Sequence, residues 1–283
     1  MLGLLLGLSS SLCWGTADFF GGLQARRLPA LTVAMWSQLT GGLILLLVLL
    51  VSGTTPTTGS FVWGMVAGVC GALAITTFYQ GLAIGIMSIV SPIAAAGVVV
   101  PVVGSLLLGE VPGPLVGVGL LLTIGGIVLV SLQTGPPAEQ HVRPTRNHIV
   151  LALAAALGFG LFFVVVDRGT AAPGASPLWV IMGARCSAQG VFITLHALRR
   201  QPIQWPGRRI IPIGIIGVLD TTANVLFGFA AQAGNLAVVS VLGSLYPVVT
   251  IGLSRVLLAE RLSLPQHGGV ALVLGGVWLL AIG

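Results

Sequence analysis

Long apolar runs follow one another along most of this 283-residue sequence. A helix needs about 20 largely apolar residues to cross the hydrocarbon core of a bilayer. The runs are continuous and lack the short alternating pattern of barrel strands, so their backbone polar groups must be satisfied within helices. The sequence therefore predicts an all-α integral membrane protein with ten transmembrane helices, at about residues 2–22, 30–51, 60–80, 86–108, 112–132, 148–166, 176–198, 210–231, 236–257 and 264–282.

The composition excludes a water-facing surface. Hydrophobic residues make up 56% of the chain and charged residues only 6%, whereas soluble domains carry about 25% charged residues. The net charge of +6 comes from scattered arginines without a single lysine, a pattern that in membrane proteins indicates topology rather than a polyanion. We expect a multi-pass protein of the cell (plasma or inner) membrane in contact with the lipid bilayer, with no nucleic-acid partner.

The beginning of the chain and its cysteines carry no further signal. The first residues lack a basic region and a small-residue cleavage site, so we expect a retained first helix rather than a signal peptide. Cys13, Cys70 and Cys186 lie inside apolar runs without metal-binding or disulfide spacing and are expected to serve packing.

The two halves of the sequence repeat each other. A shift of 150 positions places residues 107–129 over residues 257–279, so that Glu110 aligns with Glu260. A polar, Pro-rich linker at 133–147 separates the predicted repeats 1–132 and 148–283. Each repeat holds five helices, an odd number, so the second must enter the membrane in the opposite direction. Two inverted-topology five-helix repeats are typical of secondary transporters, whose sites lie at the repeat interface near the midplane.

Arginine placement predicts the orientation of the chain. Ten arginines fall in the loops after predicted helices 1, 5, 7 and 9, and Arg168 alone falls on the opposite side. The positive-inside rule then places the first set of loops in the cytoplasm and both termini outside.

Several motifs resemble those of the EamA-type transporters of the drug/metabolite transporter superfamily. The segment CWGTADFFGGLQARR (13–27) resembles the opening helix of that family, and LGE (108–110) and LAE (258–260) resemble the acidic end of the fourth helix of each repeat. Residues 240–281 resemble the second repeat throughout. The first repeat departs from the family pattern at Gly97, which occupies the position aligned with Pro247. Pro92 and Pro101 are therefore the expected bends of predicted helix 86–108. The resemblance implies transport of small organic solutes, often export, with cytoplasmic termini, contrary to the arginine distribution.

Asp220 is the deepest acid in the sequence, near the centre of run 210–231. A charge at that depth costs roughly 3 kcal/mol, so it needs a partner, water or a function. Asn224 lies one turn further on the same face, whereas Cys70 aligns with Asp220 in the first repeat. A structural bond between helices is one reading. We favour the other, that Asp220 faces a central polar cavity and binds solute or protons.

Other polar and aromatic residues are candidates for the same site. Asp18 either lines the site or pairs with Arg26, and Arg185 either pairs with Asp220 or binds a solute carboxylate. Glu110 and Glu260 are expected to hold turns. Trp14, Tyr79 and Tyr246, with Phe78 and Phe163, are candidates for a cavity wall, the two tyrosines because a buried hydroxyl needs a partner.

No catalytic or cofactor motif is present. The four histidines are scattered, and the sequence holds no HExxH motif, nucleophile elbow or P-loop, so we predict neither an enzyme nor a cofactor. The favoured function is a secondary transporter that moves an amino-acid-like, amine-bearing or other small metabolite by alternating access, as a monomer or weak homodimer. The alternatives are a multidrug-type exporter of hydrophobic cations and a non-transport membrane protein, either a lipid-modifying enzyme or a partner subunit.

Overall fold

The computed structural model describes residues 1–84, 87–107, 109, 113–130, 146–171, 173–200, 202–258 and 264–282. Within these ranges the chain is helical apart from short loops and turns. The helices are α1 (Leu2–Ala25), α2 (Ala30–Ser52), α3 (Thr58–Ile84), α4 (Met87–Ala95), α5 (Val99–Leu107), α6 (Pro114–Val130), α7 (Arg146–Thr170), α8 (Pro177–Leu198), α9 (Ile210–Ala233), α10 (Leu236–Gly243), α11 (Tyr246–Leu258) and α12 (Leu264–Ile282).

The outer faces of these helices are apolar. Six stretches of the described chain are long and apolar enough to cross a membrane by length and composition: 30–52, 58–84, 147–170, 177–198, 207–233 and 236–253. Leu47, Leu50 and Val51 of α2 are among many large hydrophobic side chains that point outward. Contiguous apolar surface of this kind marks contact with lipid or protein in a folded chain. Together with the six apolar stretches of membrane-spanning length, it indicates a multi-pass membrane protein.

Two of the predicted helices are interrupted. The run 86–108 divides into α4, a 3₁₀ turn at Ala96–Val98 and α5. The run 236–257 divides into α10 and α11, with a turn at 244–245.

The two breaks lie next to prolines. Pro101 is the third residue of α5 and Pro247 the second of α11; proline is tolerated in a first turn because the backbone N–H there has no intrahelical partner. The breaks thus fall just before the expected bends at Pro101 and Pro247. Pro92 lies inside α4, whose helical assignment continues through it, so no break accompanies the expected bend at Pro92.

The helix pairs of the two halves of the chain mirror each other. α1 packs on α9 as α7 packs on α3, and α2 packs on α9 as α8 packs on α3. α2 also packs on α8, and α6 on α12, which are pairs of corresponding helices. When each helix of one half is replaced by its counterpart in the other half, the main helix–helix contacts therefore remain the same.

Close contacts give the relative directions of these helices. Gly64 lies against Val180 and Gly68 against Ala184, so α3 and α8 run parallel. In contrast, α1 and α9 run antiparallel. Gly3 of α1 lies against Ala230 of α9. Ser10, seven residues later in α1, donates from Oγ to the carbonyl of Ala223 at 2.8 Å, seven residues earlier in α9.

Two tryptophans tie α2 to α8 at opposite ends of the bundle. Trp36, near the start of α2, donates from Nε1 to the carbonyl oxygen of Gln204 at 2.9 Å, in the loop after α8. Trp179, near the start of α8, donates to the carbonyl oxygen of Thr54 at 3.0 Å, in the loop after α2. The paired bonds show that α2 and α8 are antiparallel and that these two loops lie on opposite faces.

Candidate functional site

A cavity lies between helices from both halves of the chain. It holds about 530 Å³ of space not filled by protein atoms, counting the part open to the outside. α1, α2 and α3 line it from the first half, and α7, α8, α9 and α11 from the second. The lining residues are Trp14, Asp18, Gln38, Gly71, Ile75, Phe159, Phe162, Phe163, Arg185, Asp220, Asn224 and Tyr246.

Two polar side chains from two other helices meet at the carboxylate of Asp220. Arg185 Nη2 of α8 lies 2.9 Å from Asp220 Oδ2 of α9, and Gln38 Nε2 of α2 donates to the same oxygen at 2.8 Å. Arg185 Nε is buried without a hydrogen-bond acceptor among the described residues, and Nη2 is close to Asp220 without hydrogen-bond alignment. The structure therefore places Asp220 beside Arg185, the partner that its depth suggests, and joins α2, α8 and α9 through one carboxylate.

Close helix approach brings these groups together. A Cβ at Gly217 of α9 would meet the backbone oxygen of Ser37, and one at Gly41 of α2 would meet Thr221 and the backbone of Gly217. Small residues of this kind let membrane helices approach closely. The contact lies one turn from Gln38, so the short distance between α2 and α9 places its amide within reach of Asp220.

Asn224 is turned toward its own helix. Its Nδ2 donates to the backbone carbonyl of Asp220 at 2.6 Å, and the residue is buried at the cavity wall. The amide N–H group is thus used within α9.

Asp18 lines the cavity without a partner. It is 7% exposed, and no residue in the described part of the chain donates a hydrogen bond to its carboxylate or forms an ion pair with it. The alternative pairing with Arg26 is not found, and Arg26 is exposed after the end of α1. Asp18 is close enough to Asp220, Tyr79 and Tyr246 for electrostatic interaction.

Aromatic rings form one wall of the cavity. The ring of Trp14 lies 5.5 Å from that of Phe163 and 5.7 Å from that of Phe227, while Phe163 and Phe227 stack at 4.5 Å. The hydroxyl of Tyr246, another lining residue, is buried without a hydrogen-bond partner among the described residues. The wall is therefore largely apolar, with one unsatisfied hydroxyl.

Tyr79 lies outside the lining of this cavity. It is 2% exposed, packs beside Phe78, and directs its hydroxyl at Gly21 of α1, where a Cβ would collide with it. Of the sequence-predicted site residues, the cavity thus leaves out Tyr79 and Phe78 and brings together Trp14, Asp18, Phe163, Arg185, Asp220, Asn224 and Tyr246.

Sequence reasoning missed Gln38. An uncharged amide inside a long apolar run, WSQLTGG, was its only signal. Glu110 and Glu260 lie outside the described residues. Cys13 and Cys70 are partly buried, whereas Cys186 is exposed on the bundle surface rather than packed inside it. Within the described ranges no cluster of His, Cys, Asp and Glu side chains is arranged to hold a metal ion.

Comparison with known proteins agrees with this architecture. A crystal structure superposes with a TM-score of 0.77 at 19% sequence identity, covering 99% of this chain and 96% of that one, which shows a shared fold. An uncharacterized protein of Methanocaldococcus jannaschii is 30% identical over 142 residues, 47% of this chain and 96% of its own length. That relative has about the length of one repeat. The EamA-like transporter family matches residues 1–132 and, again, residues 146–282, and this chain therefore belongs to the EamA-like transporter family.

Proposed function

We propose that this protein is a secondary carrier that moves a small organic solute out of the cell by alternating access. The transmembrane unit is ten helices, with α4 and α5 together crossing once and α10 and α11 together crossing once. The repeats are residues 1–132 and 148–283, joined by the linker 133–147. The carrier acts in the plasma or inner membrane as a monomer or weak homodimer, and export is the direction that the family resemblance favours.

The helix contacts support inverted repeats. α1 is antiparallel to α9, α9 is parallel to α2, and α2 is antiparallel to α8, as judged from their close contacts. Each helix of the first half that can be followed in this way runs opposite to its counterpart in the second. Carriers with inverted repeats change access by moving one set of helices against the other around a site at the repeat interface.

Buried charge in the cavity is the observation that carries the proposal. Asp18, Arg185 and Asp220 all line one cavity between the halves, and each residue is at most 8% exposed. Ionisable groups inside a membrane are costly and face substrate or ion pathways. The protein retains three of them in one place, and one of them, Asp18, has no partner in the part of the chain that the structure describes.

The interrupted helices supply places for movement. The breaks at 96–98 and 244–245 lie close to each other when the two halves are aligned; the first contains Gly97 and the second directly precedes Tyr246. Gly97 contacts the carbonyl oxygen of Ala156 on α7, and Tyr246 lines the cavity. A bend at either position would therefore change contacts at the inter-half surface and at the cavity wall.

Solute counterflow in proteoliposomes tests the proposal. The purified full chain is reconstituted, loaded with each unlabelled candidate amine, amino acid or neutral metabolite, and supplied outside with a trace of the labelled compound. A carrier accumulates label transiently when unlabelled solute is inside, which neither a channel nor a scaffold does. Protein-free vesicles are the control, and recovery of chemically unchanged solute separates transport from enzymatic conversion. Absence of counterflow across a broad panel contradicts the carrier function.

A further inference from the structure

We infer that Asp18 is the cation-binding residue of the cavity and that the solute carries a protonated amine on an apolar or aromatic body. This inference deepens the proposed carrier function and rests on it, because the bound molecule is a transported solute only if the protein is a carrier. It assigns to Asp18, rather than to Asp220, the direct contact with the transported molecule.

The two acids in the cavity differ in what already contacts them. Asp220 Oδ2 is contacted by the Arg185 guanidinium at 2.9 Å and by the Gln38 amide at 2.8 Å. Asp18, which is nine-tenths buried at the same cavity, receives no hydrogen bond or ion pair from the described chain. A buried carboxylate without a partner is destabilised unless a cation or proton reaches it. A bound cation supplies the missing partner.

The charges facing the cavity favour the same sign of ligand. Asp18 and Asp220 are opposed by one guanidinium, that of Arg185, among the residues that line the space. With both carboxylates ionised, the cavity therefore has one uncompensated negative charge. Asp18 and Asp220 also repel each other electrostatically. A monocation beside Asp18 would neutralise the excess negative charge and reduce this repulsion.

The remaining lining suits the body of such a cation. Trp14 precedes Asp18 by one helical turn, so the indole and the carboxylate belong to the same face of α1. Phe159, Phe162 and Phe163 of α7 continue the wall, and Tyr246 closes it with a buried, unpartnered hydroxyl. Aromatic faces attract ammonium groups and also pack on apolar groups. An arylalkyl amine uses both properties.

A zwitterion fits this arrangement less well than an amine. Its carboxylate would need the Arg185 guanidinium, which is already held by Asp220. An amino acid would therefore bring a third carboxylate to a lining that holds a single guanidinium, whereas an amine adds only the positive charge that Asp18 lacks. An amine and the corresponding amino acid differ only by the carboxylate, so their binding can be compared directly.

Equilibrium binding to the purified full chain in detergent or nanodiscs tests the inference without requiring transport. The probes are 2-phenylethylamine, its neutral analogue 2-phenylethanol, phenylacetate and phenylalanine. Binding is measured by thermal stabilisation of the protein and by its intrinsic tryptophan fluorescence, to which Trp14 contributes. The variants are Asp18→Asn, Asp18→Glu and, as a matched acid-to-amide control outside the cavity lining, Asp167→Asn. Melting curves without ligand confirm that each variant is folded.

We expect the amine to bind more tightly than the alcohol or the phenylacetate. Loss of a buried charge partner weakens binding strongly, so Asp18→Asn should raise the Kd of the amine at least about tenfold. Asp18→Glu should restore part of the affinity, and Asp167→Asn should leave it unchanged. Equal binding of all probes, or full amine affinity in folded Asp18→Asn, overturns the inference, as does preferential Arg185-dependent binding of phenylalanine.

Failure of this inference can be distinguished from failure of the carrier proposal. Amine binding that depends on Asp18, together with no counterflow of any solute, supports the cation site and contradicts the carrier. Counterflow of a neutral or anionic solute that persists in Asp18→Asn supports the carrier and contradicts the cation site.

Discussion

Arg185 of α8 and Asp220 of α9 form a buried ion pair, with Nη2 and Oδ2 2.9 Å apart and only 8% and 11% of the two side chains exposed. Gln38 of α2 joins the pair by donating to the same carboxylate oxygen. The pair thus links one helix of the first half of the chain to two helices of the second. It makes Asp220 as much a part of the helix packing as of the cavity.

Removing either charge of the ion pair is expected to destabilise the protein, and removing the second charge as well should add little to that cost. Asp220→Asn leaves the Arg185 charge buried and unpaired, which costs about 3–5 kcal/mol in buried pairs of this type. Arg185→Gln should cost a similar amount, and the double variant should cost clearly less than the sum, because the two sites are coupled. Thermal unfolding in detergent measures the three values.

The double-mutant cycle formed by Asp220→Asn, Arg185→Gln and the double variant also decides between a solute-binding and a structural role of Asp220. From the sequence alone, we expect Asp220→Asn to fold normally, with transport either lost or stripped of its pH dependence. The ion pair leads us instead to expect a less stable protein, with Asp18→Asn as the variant that stays folded and loses ligand. Additive effects in the double variant would show that the contact with Arg185 contributes little.

The Gln38 amide is expected to stabilise the fold through the charge that it contacts. Gln38→Leu removes a buried hydrogen bond to a carboxylate and should cost about 1.5–3 kcal/mol. Gln189→Leu is the matched control, because Gln189 also bridges α8 and α2 but donates to a neutral acceptor, the carbonyl oxygen of Met35, at 3.2 Å. That control should cost only about 0.5–1.5 kcal/mol. An equal loss of unfolding free energy in both variants would contradict the special role of Gln38.

The crossing of α2 and α9 is expected to tolerate no side chain at Gly217. A Cβ there would meet the backbone oxygen of Ser37, so Gly217→Ala should force the helices apart and cost about 1–3 kcal/mol. Gly214→Ala on the same helix is the control, because its Cβ would only touch Thr40 Cγ2 at 3.9 Å. The control should be neutral or stabilising by up to about 1 kcal/mol, the helix preference of Ala over Gly. Melting temperatures of the two variants provide the comparison, and matching values would argue against a tight crossing.

Single-cysteine labelling is expected to place the loop after α8 in the cytoplasm. Ile203 in that loop and Thr55 in the loop after α2 are exposed and lie on opposite faces of the bundle. In a background without Cys13, Cys70 and Cys186, an impermeant maleimide should label Thr55→Cys in intact cells. Ile203→Cys should react only after permeabilisation, as the positive-inside rule requires. The reverse pattern would instead favour the cytoplasmic termini that the family resemblance implies.

Sequence alone determined the class of this protein and its division into two similar halves. Both properties are local or periodic: a run of about 20 apolar residues is long enough to cross a bilayer wherever it occurs, and a repeat can be read by sliding the sequence along itself. The helix breaks are an intermediate case. Pro101 and Pro247 indicate where a helix begins again, whereas Pro92 lies inside α4 without interrupting it, so a proline in the sequence does not by itself locate a break.

Tertiary structure decided how the site is built. A lone charge in an apolar run is conspicuous, so Asp18, Arg185 and Asp220 could be identified as candidates from sequence, whereas the uncharged Gln38 could not. What each acid contacts depends on side chains that are up to 182 positions away along the chain. Sequence spacing carries no information about such contacts, because close helix crossings set them. The fold therefore holds Asp220 between Arg185 and Gln38 and leaves Asp18 facing the cavity without a partner among the described residues.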